Sequence, residues 1–121
     1  MRSVLKRGDE NSSRRASLSG KDVAYTFAVT STAELDYLDI WLYIAQDSAV
    51  NADRFIDLLQ SKHAIIVLQP GIGTPRPDFG AEVRSYPVGH YTLFYRLNGD
   101  RIELLRVLHG ARDLPRVFDV R

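Results

Sequence analysis

A chain of 121 residues with 45% hydrophobic residues and no cysteine is long enough to bury one core. It excludes disulfide frameworks, thiolate metal sites and cysteine nucleophiles. The formal net charge of +1 conceals a segmental split: residues 1–22 carry +3, residues 23–81 carry −4 and residues 82–121 carry +2. The expected folded part, residues 23–121, is therefore net −2. That balance disfavours a domain whose task is to grip a nucleic-acid backbone, because such affinity comes largely from phosphate neutralisation. No specific direct nucleic-acid contact is expected. No apolar run approaches the ~20 residues that span a bilayer and no apolar leader stretch opens the chain, so a cytoplasmic protein without membrane contact is expected.

Residues 1–22 are rich in Ser and Arg and lack periodicity, and are read as a disordered extension ahead of a single domain at 23–121. Ala24 to Val29 alternates, with Tyr25, Phe27 and Val29 on one side, which predicts a half-buried strand. Ser31 and Glu34 have capping-box spacing and predict a helix start. Leu35, Leu38, Leu42 and Ala45 then form an apolar stripe that Trp41 and Ile44 widen, with Asp36 and Asp39 towards solvent. Trp41 is expected to pack under the sheet. Asp47-Ser48 offers a cap for a second helix with Ala52, Phe55, Ile56, Leu59 and Ile66 inward, and His63 on or beside that stripe as a packing residue. The short connection makes the two helices an antiparallel hairpin. Gln69 to Phe79, with three prolines and two glycines, predicts a loop.

Glu82 to Arg112 predicts three strands joined by turns at Pro87-Val88-Gly89 and Asn98-Gly99. Ile102, Leu104, Val107 and Leu108 leave few polar positions in the last strand, so both its faces should be covered. Arg106 and His109 interrupt that run and are the first candidates for function. Ala111 to Arg121 contains Pro115 and predicts at most a short turn or helix.

No metal, nucleophile or phosphate-loop spacing occurs, and no cofactor or metal is expected. A cluster remains on the sheet side: Arg84, Tyr86, His90, Tyr91, Tyr95, Arg96, Arg106, His109 and Arg112. Two readings fit it. One is a metal-free ribonuclease site, with a His or Tyr as general acid and base and arginines on the phosphate. The other is strand-end aromatics, paired surface arginines and a structural histidine.

Three stretches, Arg84-Ser85-Tyr86-Pro87-Val88-Gly89, Phe94-Tyr95-Arg96 and Arg106 through Asp113, together with the order of elements, resemble the ParE branch of the RelE/ParE superfamily of bacterial type II toxins. The resemblance covers about residues 23–118. It implies an α+β fold in which a helical hairpin packs on an antiparallel sheet, in the order β-α-α-β-β-β. It also implies a toxin neutralised by a ParD-like antitoxin and acting by inhibition of DNA gyrase, with no catalytic residues. Arg84, Arg106, His109 and Arg112 are then target-binding candidates. RelE-like relatives are ribosome-dependent mRNA endonucleases that use lysines and arginines with a C-terminal Tyr or His. This chain departs from that pattern, since Lys62 is the only lysine after residue 22 and the tail PRVFDVR has neither. A relative that binds antitoxin without toxicity is the third reading.

Overall fold

A computed structural model of the chain describes residues 25–113. The expected extension at 1–22 and most of the expected C-terminal turn or helix lie outside them. The elements run β1 (Thr26–Val29), α1 (Ser31–Ala45), α2 (Ala49–Leu68), β2 (Thr74–Pro75), β3 (Val83–Val88), β4 (Tyr91–Asn98) and β5 (Arg101–His109). The helical hairpin packs on one sheet in the order β1-β5-β4-β3-β2. All neighbours are antiparallel except β1 with β5, which are parallel. The parallel pair follows from the connection: the hairpin carries the chain over the sheet, and β1 is left beside the last strand rather than the next one.

Beginning where β1 ends, α1 is capped by Thr30, whose Oγ1 accepts from Ala33 N at 3.2 Å. The expected box began one residue later, at Ser31. Thr30 displaces it because its hydroxyl also donates to Leu104 O at 2.9 Å and Leu105 O at 3.3 Å, so one side chain both starts the helix and seals β5. Ser48 caps α2 as expected, accepting from Asn51 N at 3.1 Å.

The buried face of α1 is Ala33, Tyr37 and Ile40, with Trp41 and Ile44 at its margin. This overturns the expected stripe: Leu35 is 61% and Leu42 51% exposed, and Leu38 is half-buried. Trp41 lies at the rim of the core, not beneath the sheet, and its Nε1 donates to Asp53 Oδ1 at 2.8 Å, tying the two helices together. The inward face of α2 is Ala52, Ile56, Leu59 and Ile66, with Phe55 half-buried. His63 packs among them: its ring stacks on Phe27 at 4.3 Å and its Nε2 lies 2.8 Å from the Tyr37 hydroxyl. Burial lowers the His63 pKa to about 3 and raises that of Tyr37, so a neutral imidazole accepts from a protonated phenol.

The meander closes with glycine first in each two-residue turn, Gly89-His90 and Gly99-Asp100, at φ 62° and 65°. His90 and Asp100 keep negative φ, so the turns have the glycine-first pattern of type II′, one residue later than expected. The expected loop after α2 also holds structure, a 3₁₀ turn at Pro70–Ile72 and the short β2. Tyr95 pins it, donating to Pro70 O at 2.7 Å and accepting from Gly73 N at 2.9 Å. A β-carbon on Gly73 would lie 2.7 Å from the Tyr95 hydroxyl and 2.9 Å from Ser85 O, so only glycine fits there.

Candidate functional site

Along β5 the alternation slips by one residue. Tyr95 pairs with Leu104 and Phe94 with Arg106, which leaves Leu105 as a bulge. Leu104 and Val107 thereby both face the core although they stand at odd spacing, and Ile102, Leu104, Val107 and Leu108 are all buried. The expectation that this strand is covered on both faces holds for the core face and for Leu108, while Arg106, 41% exposed, leaves the other face partly open.

β1 pairs with β5 only as far as Leu104, so the rest of β5 runs with an open edge. Side chains close that edge, as exposed strand edges require. Asp36 of α1, expected in solvent, instead turns to the sheet. Its Oδ2 accepts from Val107 N at 2.9 Å, and its carboxylate takes a two-pronged pair from Arg106 at 2.8 and 3.1 Å. The carboxylate is 12% exposed and Arg106 41%. Hydrogen bonding to Asp36 raises the pKa of Arg106 further. At the end of the strand Asp113 Oδ2 accepts from His109 N at 2.8 Å. Burial would push Asp113 up, but that hydrogen bond and Arg112 together hold it below the usual carboxylate range.

Around this edge three of the four candidates meet. His109 Nδ1 accepts from Arg112 N at 3.0 Å, which in a neutral ring places the proton on Nε2. Its ring meets Tyr91 edge-on at 5.1 Å and stacks against His90 at 5.9 Å. The Arg112 guanidinium lies over Tyr43 at 5.1 Å, 3.3 Å from Asp113 Oδ1 and 3.5 Å from the Tyr91 hydroxyl. Arg106 and Arg112 line a cleft of about 390 Å³ with Asp36, Asp39 and Asp113. Arg84 stands apart on β3, donating to Gly71 O at 3.2 Å and Gly73 O at 2.7 Å, where it holds the loop after α2. Arg96 is taken by Glu103 at 2.8 Å. His90 and Tyr91, both in the sheet-side cluster, join the site, and Tyr43 joins it without having been a candidate, brought there by the packing of α1.

Among the described residues no group of three or more His, Asp or Glu side chains could hold a metal ion, and no helix is long and apolar enough to cross a membrane.

The hairpin on a mostly antiparallel sheet, with an edge strand β1 beside β5, is the RelE/ParE-like fold. A chain of the chromosomal ParDE toxin-antitoxin system from P. aeruginosa is similar over 70% of this chain and 95% of its own, with TM-score 0.61 and 18% identity. A chain of the RelBE2 toxin-antitoxin complex from Mycobacterium tuberculosis is similar over 70% and 90%, with TM-score 0.55 and 23% identity. No curated protein matches the chain. Residues 27–114 match the model of the ParE toxin of the type II toxin-antitoxin system parDE, and the chain belongs to that family.

Proposed function

We propose that this chain is a growth-arresting toxin that acts by binding DNA gyrase and is neutralised by a ParD-like antitoxin. The observation that carries the choice of surface is the cluster at the end of β5, where Arg106, His109 and Arg112 meet beside His90, Tyr91 and Tyr43. Arg112 is 41% exposed, so a partner can displace its weak contacts at little cost. The task is recognition: arginine and aromatic side chains on a rigid strand end are the residues that anchor protein interfaces. Arg84 is left to the loop whose carbonyls it holds.

One observation favours a second reading, RNA cleavage. His90 stands beside His109, and two imidazoles 5.9 Å apart at 21° could act as general base and acid on one phosphodiester.

The experiment is induction of the full chain in a bacterial host, with plasmid supercoiling and mRNA integrity followed together. Gyrase binding predicts loss of negative supercoiling and a DNA-damage response before protein synthesis falls, both removed by Arg112→Ala with His109→Ala. Cuts inside translated codons within minutes, with supercoiling intact and with His90→Ala protective, would replace the gyrase reading with the nuclease. Growth unaffected by wild-type protein at full expression rejects toxicity altogether.

A further inference from the structure

Two carboxylates grip the outward edge of β5 in the same way. Each accepts from one strand N-H and from the Nε of one arginine: Asp36 from Val107 N at 2.9 Å and Arg106 at 2.8 Å, Asp113 from His109 N at 2.8 Å and Arg112 at 3.3 Å. Their reach differs. Asp36 stands on α1, 71 residues before its strand N-H, so its clamp ties a helix to the sheet and belongs to the fold. Asp113 ties only its own turn, and its N-H donates back to His109 O at 2.8 Å. His109 Nδ1, accepting from Arg112 N at 3.0 Å, closes the same turn from the other side. With Asp113 25% and Arg112 41% exposed, and with no distant segment joined, this clamp contributes little to stability. What it fixes is geometry. Apart from Asp113, the described contacts of the Arg112 guanidinium are loose, the Tyr91 hydroxyl at 3.5 Å and the Tyr43 ring at 5.1 Å. The other anchor of the turn is backbone, Gly110 N donating to His90 O at 2.9 Å.

We infer that Asp113 is a positioning residue of the target-recognition site: by closing the turn from His109 to Asp113 it sets the ring proton of His109 on Nε2 and holds the Arg112 guanidinium at the cleft beside Arg106. The inference rests on the toxin reading above and adds a residue to which that reading gives no role. The carboxylate fixes the path of the backbone from 109 to 113, and that path brings Arg112 N to His109 Nδ1. A neutral ring that accepts at Nδ1 carries its proton on Nε2, so the face offered to a partner is one defined donor beside one defined guanidinium. Without the carboxylate, both tautomers and several Arg112 rotamers open up, and a partner has to freeze them on binding, which weakens affinity. Burial alone would raise the Asp113 pKa, yet His109 N-H and Arg112 hold it below the usual carboxylate range, so the clamp is a charged acceptor at neutral pH.

The test uses the full chain with Asp113→Ala, Asp113→Asn and, as control, Glu103→Gln, a carboxylate of β5 that holds Arg96 and Arg101 away from the site. In Asp113→Ala, inhibition of supercoiling by purified gyrase should weaken about 10-fold or more. Its melting midpoint should stay within about 5 °C of wild type. The ring-nitrogen NMR shifts of His109 should move from the Nε2-H tautomer towards a mixture. Asp113→Asn keeps an acceptor for His109 N and should recover inhibition to within about threefold of wild type, with the ring proton back on Nε2. Glu103→Gln should leave inhibition and the His109 ring as in wild type. Wild-type inhibition by Asp113→Ala, or an unchanged His109 ring in that variant, overturns the positioning role. A midpoint lowered by more than about 10 °C, with inhibition lost in Ala and not recovered by Asn, makes Asp113 a plug of the strand edge instead. If wild-type protein arrests growth without inhibiting gyrase, the gyrase reading alone falls and growth arrest by the same variants decides the role. If it does not arrest growth, the toxin reading falls and the role with it.

Discussion

The two apolar sides of α1, Ala33, Tyr37, Ile40 and Ile44 on one and Leu35, Leu38 and Leu42 on the other, have different fates. Inward, Tyr37 is 1% exposed and its hydroxyl meets His63 Nε2 at 2.8 Å. Outward, Leu35 and Leu42 are more than half in water. What separates them is satisfaction of polar groups rather than hydrophobicity. The inward line brings Tyr37 to His63 and lets Asp36, at its border, reach both Val107 N and Arg106. Turning the leucines inward would carry Asp36 away from the β5 edge and leave that backbone N-H without its acceptor.

The largest effect expected from breaking this contrast is Tyr37→Ala. It should destabilise by about 3–5 kcal/mol, a large part of a small domain's stability, whereas Leu35→Ala should shift it by less than about 0.5 kcal/mol. Comparable losses in urea titrations of the two variants would mean that the faces have been assigned wrongly.

Acid sharpens the contrast without mutation. The His63 pKa lies near 3 in the folded chain and near 6.5 when exposed, so the unfolded state binds the additional proton between those values. Its contribution is fully present above about pH 6.5 and is lost as pH falls towards 3. Stability should drop by about 2–3 kcal/mol between pH 7 and pH 4 from this group. His63→Phe should remove most of that slope; an unchanged slope in the variant would show that His63 is protonated without strain.

Asp36→Asn keeps an acceptor for Val107 N but gives up the ionic pair with Arg106, and should cost about 1–2 kcal/mol. The half-exposed arginine limits the loss. A melting curve that coincides with wild type would make Asp36 a surface residue after all. The smallest effect belongs to Arg112→Ala. Its partners are long or solvent-exposed, so stability should change by less than about 0.5 kcal/mol while toxicity in an induction assay falls. Retained toxicity in that well-folded variant would move the target surface elsewhere.

The sequence by itself determined the element types, their order and the meander, because alternation, helical spacing, Ser48 and two Gly-containing turns are local signals that all agree. It also determined the inward face of α2, Ala52, Ile56, Leu59 and Ile66, although Val50, Leu58 and Leu68 on its other sides are exposed. It brought Arg106 and His109 forward as interruptions in an apolar strand, and Arg112 through the motif that follows it. Only the tertiary structure decided which face of α1 is core, since two apolar lines on one helix are indistinguishable by period. The same holds for Thr30 as cap, whose advantage over Ser31 comes from two carbonyls 74 and 75 residues away. It holds too for the bulge at Leu105, which pairing register alone creates, and for Tyr43, which reaches the end of β5 through a helix packed across the sheet. Each of these depends on a contact between distant segments, and spacing along the chain carries no record of it.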